Sequence, residues 1–270
     1  KLDDANWAGT KRSEECVLIL TEGDSAKSMA IAGIAESGRD KYGVFPLKGK
    51  VMNVRDIQNE KIFKNAEIIN LKKILGLETD KIYKNTKSLR YGKIMIMTDQ
   101  DLDGSHIKGL VINVFHVLWP SLLELNYLTC MLTPIIKVSN KKNIESFYTL
   151  ADYEVWKTKT SNYAKWNIKY YKGLGTSTSL EAREYFKNMK INNYLTNDKT
   201  NEAMCLAFDK NYADKRKKWL YKYDNNKILD HNKQDVNMDE FINRELIHFS
   251  NNDTQRSIGS VFDGLKPSQR

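Results

Sequence analysis

KIMIMTDQDLDG at residues 93–104, with its earlier counterpart CVLILTEGDSA at residues 16–26, decides how this chain is read. Each is a short apolar run that ends in carboxylates. Such runs, bounded by polar residues, predict buried strands, and their alternation with helical segments predicts an α/β fold: a parallel sheet with helices on both faces. Ligands in open α/β sheets sit where strands end. Glu22, Asp99, Asp101 and Asp103 therefore fall where chemistry is expected. If the backbone stays extended past the second strand, the three aspartates alternate with Gln100 and Leu102 and project to one side. Like charges so close need a cation to neutralise them, and hard oxygen donors favour Mg2+ or Ca2+ over Zn2+.

Outward from these strands, a helix is predicted over about residues 25–35 and a second strand over 44–47. Apolar residues Ile62, Phe63, Ala66, Ile69 and Ile74 recur at helical spacing within residues 59–75. A helix is expected over 105–118, ended or kinked by Pro120. After Tyr127 the pattern changes. MLTPIIKVS (131–139) and residues 145–150 read as strands, 151–157 as a short helix, and KGLGTST (172–178) as a turn before a helix over 180–189. Residues 213–221 are a basic helix candidate and 238–249 a last helix, whereas 194–201 and 223–236, rich in Asn, Asp and Lys, read as loops. The organisation expected is a lead-in (1–15), an α/β domain (16–133), an α+β extension with connectors (134–237), and the start of a further domain (238–270).

Composition sets bounds without choosing a function. The 270 residues suffice for one large or two modest domains, and a net charge of +9 admits an anionic partner, although a solvated lysine surface is the commoner explanation of such a charge. Cys16, Cys130 and Cys205 form no Cys-x-x-Cys pair, so neither a zinc site nor a disulfide framework is indicated. No apolar stretch is long enough to span a bilayer, and KLDDANWAG lacks the apolar core of a signal peptide. The chain reads as soluble and intracellular, and as a piece of a longer protein.

Simpler readings of the motifs fail on specific residues. The aspartate loop matches the first half of an EF-hand, but Leu110 stands where the bidentate glutamate belongs. GIAESGRD (33–40) has Walker A glycine spacing, with Arg39 and Asp40 in place of the Lys and Ser/Thr. KGLGTST lacks the GxGxxG pattern. Asp24 or Ser25 is expected to cap the first helix, Gly23 to allow a tight turn, and His106 to pack or hydrogen-bond at a helix start.

EGDSA, MTDQDLDGSHIKG, PLKGKVMNV (46–54), YYKGLGTST (170–178) and DGLKPSQR (263–270), in this order and spacing, resemble the toprim-containing part of type IIA DNA topoisomerases across essentially the whole chain. KGLGTST and INVFHVLWPSLL (112–123) are more similar to the eukaryotic enzyme than to the bacterial gyrase subunit. The resemblance implies a Rossmann-like toprim domain, an extension, and the truncated start of a winged-helix domain at 238–270. It implies an ATP-dependent enzyme that passes one duplex through a transient double-strand break, acting as a homodimer in the nucleus.

On the same resemblance, Glu22 and Asp99 hold one Mg2+ beside the scissile phosphate, and Asp99 with Asp101 a second, Mn2+ or Ca2+ being possible substitutes. Asp103 is a further candidate ligand, and Glu22 could instead act as a general acid. Catalytic weight thus falls on Glu22, Asp99 and Asp101. Lys50, Asn53, Arg216, Lys217 and Lys266 would contact DNA, holding phosphates without reading sequence. Lys48 stands where the eukaryotic family usually has arginine, which loses a planar fork. The nucleophilic tyrosine is expected in the winged-helix domain that DGLKPSQR opens, and the ATP site upstream of Lys1. A free-standing toprim nuclease or primase-like enzyme and a non-catalytic DNA-binding module are the alternative classes.

Overall fold

The computed structural model describes residues 1–141 and 143–264. Strands β1 (Val17–Glu22), β2 (Tyr42–Leu47), β3 (Lys93–Met97) and β4 (Leu128–Leu132) form the parallel part of one sheet. The helices among them are α1 (Gly23–Ser37), α2 (Asn59–Ile62), α3 (Ala66–Leu75), α4 (Leu102–Leu118) and α5 (Pro120–Glu124). Burial alternates with the pleat: Leu18, Leu20, Ile94 and Ile96 face one core, while Ile19, Met95 and Met97 face the other. Both faces are covered, which is why these strands read as continuous apolar runs.

The second half returns to the same sheet. Strands β5 (Ile136–Ser139), β6 (Ile144–Phe147) and β7 (Asn167–Tyr170) make a separate antiparallel sheet in the order β6-β5-β7. It packs on α6 (Leu150–Lys159) through an aromatic cluster that includes Phe147, Tyr153, Trp156 and Trp166. After α7 (Ser179–Lys187), strand β8 (Lys190–Leu195) pairs antiparallel with β4, and beyond α8 (Thr200–Phe208) and α9 (Ala213–Tyr221) strand β9 (Asp235–Asn237) completes the order β2-β1-β3-β4-β8-β9. The chain ends its described course in α10 (Met238–Phe241), a π turn (Ile242–Leu246) and α11 (Ile247–Asp263).

Several local expectations are corrected. Residues 59–75 form two helices, because Asn65 accepts hydrogen bonds from the amides of Glu67 and Ile68 and starts α3 afresh. Residues 194–201, read as a loop from their polar composition, contribute to β8 and α8, and the end of the 223–236 segment enters β9, since Tyr194 and Leu195 pair with Val236 and Asn237 and so satisfy their backbones. The last helix runs past Phe249 to Asp263. Neither Asp24 nor Ser25 caps α1: Glu22 occupies the cap position without a side-chain bond, and Gly23, at φ +77°, makes the turn. Cys16, Cys130 and Cys205 are free, as expected.

Candidate metal centre and nucleic-acid groove

The strand order places β1 between β2 and β3, so the chain reverses direction across the sheet between β1 and β3. Crevices at such switch points are where α/β sheets bind ligands. Glu22 ends β1 and Asp99 follows β3, and the register Thr21↔Met97 brings the two acids side by side. The backbone amide of Asp99 donates to Glu22 Oε2 at 3.4 Å.

Past Asp99 the backbone does not stay extended, which corrects the picture of three aspartates on one side. Asp101 is the cap of α4, its Oδ1 accepting from the Gly104 amide at 2.7 Å. Starting the helix at Leu102 rather than at Ser105 satisfies an otherwise orphaned amide. Asp103 then lies inside the first turn and pairs with Lys50 at 2.7 Å. The helical rotation brings Asp103 to a cation, Lys50, although its charge still adds to the rise at Glu22.

Asp99 is held from the far half of the chain. Its Oδ1 accepts from the Leu174 amide at 2.7 Å, and a Cβ built on Gly173 would stand 2.5 Å from its Oδ2. KGLGTST is therefore the strap over the aspartate, a contact between residues 75 apart that sequence spacing could not reveal. Gly104 serves the same closeness from below, where a Cβ would meet the Asp99 carbonyl oxygen at 2.0 Å.

Electrostatics mark the acids as under-neutralised. Burial and then the charge of Asp99 push the Glu22 carboxyl above its ordinary value. Burial raises Asp99 as well, against the Leu174 bond and with Asp101 adding to the rise. Asp103 moves the other way, lowered first by its bond to Lys50. Among the described residues no three His, Cys, Asp or Glu side chains stand close enough to encage an ion by themselves. That donor set fits Mg2+ better than Ca2+: Mg2+ takes one or two carboxylates, keeps water and uses substrate phosphates, whereas Ca2+ seeks six to eight oxygens.

Beside the acids, the DNA candidates converge. Asn53, Arg216 and Lys217 line one groove of about 410 Å³ together with His106, Phe249 and Asp253. Lys50 lies 4.7 Å above the Phe249 ring, and His106 stacks on the same ring with centroids 4.0 Å apart. Burial, then the Lys50 charge, lowers the His106 pKa to about 4, so it is a neutral packing residue at the helix start, as expected. The structure commits these residues differently. Asn53 donates to the Phe208 carbonyl at 2.9 Å and accepts from Asn113 and the Arg55 amide. Arg216 Nη1 donates to the carbonyls of Leu206 at 2.7 Å and Asp209 at 3.1 Å, closing the end of α8. Lys217 is well exposed, paired only with Asp214 at 3.0 Å among the salt bridges described. Lys266 lies outside the described residues.

Sequence reasoning missed Leu174, Phe249 and the buried pair Lys108–Glu245 described below. The first two are apolar residues whose role is positional. Lys108 carried a signal: a lysine inside the apolar run of α4.

Comparison with known proteins agrees along the chain. The Toprim domain family matches residues 17–134, and the C-terminal associated domain of TOPRIM matches residues 131–254. DNA topoisomerase 2-alpha of Mus musculus is 51% identical over 288 aligned residues, covering 100% of this chain and 19% of that protein. DNA topoisomerase 2 of Plasmodium falciparum (isolate K1 / Thailand) is 52% identical over 275 residues, covering 100% of this chain and 20% of that protein. The chain thus spans about a fifth of the length of these relatives. The crystal structure of the Plasmodium falciparum topoisomerase II DNA-binding, cleavage and re-ligation domain superposes with a TM-score of 0.91 at 49% identity, covering 95% of this chain and 36% of that one.

Proposed function

The chain belongs to the eukaryotic DNA topoisomerase 2 family as its toprim-containing region, and from that premise we propose that it forms the divalent-metal part of a DNA cleavage and re-ligation centre. Toprim domains of topoisomerases bind divalent metals in general. The observation that carries the proposal is the pair of half-buried carboxylates, Glu22 and Asp99, set at the ends of adjacent strands across the switch point and both pushed towards protonation. A mutually repelling pair of this kind favours a bound cation, and Mg2+ is the ion whose needs match the few protein donors present. Glu22 with Asp99 would hold one such ion, and Asp99 with Asp101 a second, each using two carboxylates and leaving the remaining positions to water and phosphate. Bound there, Mg2+ would polarise phosphodiester oxygens and offset charge that grows in the transition state.

The protein's own residues do the rest. Leu174 and Gly173 hold the Asp99 carboxylate in one orientation. Lys50 is only loosely tied to Asp103, since both side chains are more than 40% exposed and such pairs contribute about 0–1 kcal/mol. An arriving phosphate can take Lys50 at little cost. Lys217 and the groove around Phe249 would follow the DNA backbone without reading bases. In the whole enzyme, ATP use, a homodimer, duplex passage and a nuclear location are part of the same proposal. No described helix is long and apolar enough to cross a membrane.

Calorimetric titration of the chain with Mg2+ and Mn2+, with and without a short nicked duplex, tests this, Asp99→Asn being the comparison. Binding that tightens with DNA and disappears in the variant is expected. Equal binding by the parent and Asp99→Asn would overturn the assignment.

A further inference from the structure

Behind the acidic loop, the core holds a full ion pair. The Lys108 side chain is 1% exposed and that of Glu245 10%, with Nζ bonded to Oε1. Burial works against both charges, yet mutual attraction holds the ammonium above and the carboxylate below their ordinary values. Glu245 Oε2, also buried, finds no hydrogen-bond partner among the described residues. Removing two ions from water costs several kcal/mol each, and well-packed apolar residues of similar volume often match or exceed such a pair in stability. Stability is thus a poor reason for Lys108 and Glu245 to be where they are.

Their connections suggest a better one. Glu245 belongs to the π turn, a widened turn whose extra residue lets Ile242, Glu245 and Leu246 all face inwards. Its Oε1 also lies 2.8 Å from Ser105 Oγ. Ser105 sits in the first turn of α4, where its amide and its hydroxyl each reach the Asp101 carbonyl at 3.0 Å. The single hydroxyl proton has two acceptors, and the charged carboxylate is the stronger. Glu245 therefore fixes the Ser105 rotamer, and Lys108, three residues on in the same helix, fixes Glu245. Asp101 is in turn the residue whose side chain caps that turn.

We propose that Glu245 is a positioning residue for the metal-binding loop: from the π turn, through Ser105 and Lys108, it holds the first turns of α4 that Asp101 caps, and so couples metal affinity to the placement of α11. This rests on the metal reading of Glu22, Asp99 and Asp101. The π turn and the loop then move as one body, so a shift of α11 alters the donor geometry on the other side of α4.

The test uses the full chain with three variants: Ser105→Ala, Glu245→Gln, and the pair Lys108→Met with Glu245→Leu. Mn2+ affinity is read by calorimetry and stability by urea unfolding. Outer residues that orient metal ligands typically change affinity by about 10–100-fold. The apolar pair is expected to match or exceed the parent's urea midpoint while losing about ten-fold in Mn2+ affinity, a divergence that a purely structural pair would not produce. Ser105→Ala, which leaves the ion pair intact, is expected to lose affinity with little change in stability. Mn2+ affinity within about two-fold of the parent in the folded pair variant and in Ser105→Ala would overturn the proposal.

Failure of the parent itself to bind Mn2+ would defeat the metal reading instead. Amide hydrogen exchange then still decides the positioning role. Faster exchange at Gly104 and Ser105 in a pair variant of undiminished global stability supports it, and unchanged protection there overturns it.

Discussion

Replacing Gly173 by alanine isolates the strap over Asp99. Gly173 is fully extended, with φ 176° and ψ 171°, a conformation any residue adopts, so no backbone penalty enters. The added methyl acts only by contact. It would stand 2.5 Å from Asp99 Oδ2, 3.0 Å from Cγ and 3.2 Å from Oδ1, distances that force either the carboxylate to rotate or the loop to withdraw. Both movements break the 2.7 Å bond from the Leu174 amide to Oδ1. A hydrogen bond to a charged group contributes about 1.5–3 kcal/mol, so urea unfolding should show a loss of that size. Because the same carboxylate is a proposed metal ligand, Mn2+ affinity should fall by about ten-fold or more. Gly175→Ala is the matched control in the same loop, its nearest contact being Ser25 Cβ at an ordinary 3.7 Å. The Leu174 amide proton, shifted downfield by a carboxylate acceptor, reports the bond directly by NMR. An unchanged Leu174 resonance together with parental Mn2+ binding in Gly173→Ala would refute the strap as the determinant of Asp99.

Three further outcomes are expected. His116 Nδ1 faces Arg55 Nη2 at 2.8 Å, and burial, then the Arg55 charge, lowers its pKa to about 4. Unfolded histidine titrates near 6.5, so the stability from the neutral ring is whole above about pH 6.5 and is lost as pH falls towards 4. His116→Gln should flatten that slope, and an imidazole that titrates near its unfolded value in the native protein would contradict it. Lys217→Ala should weaken duplex binding equally for all sequences and reduce the salt slope by about 0.9; an unaltered slope would remove Lys217 from the interface. Gly33→Ala places a methyl 2.1 Å from the buried Phe186 ring between α1 and α7, and overpacking of this kind costs about 1–3 kcal/mol. A parental urea midpoint would show that this packing yields freely.

What the sequence determined by itself was what local chemistry dictates. Strands β1 and β3 were legible because burial on both faces demands unbroken apolar runs, and the acids at their ends stood out as polar residues where such runs stop. The helical path of Asp101 and Asp103 was not legible, because a three-residue shift in helix start, from Ser105 to Leu102, depends on which amide finds a cap. Strand β8 was hidden by its polar letters, KINNYL, since its backbone is satisfied by pairing with β4 and only alternate residues are buried. Only the tertiary structure decided which distant residues meet: Leu174 on Asp99, Lys50 on Asp103, Glu245 on Lys108 and Ser105. These contacts join segments separated by 53 to 140 residues. Their partners are chosen by how layers pack around the sheet, and no local pattern records that choice.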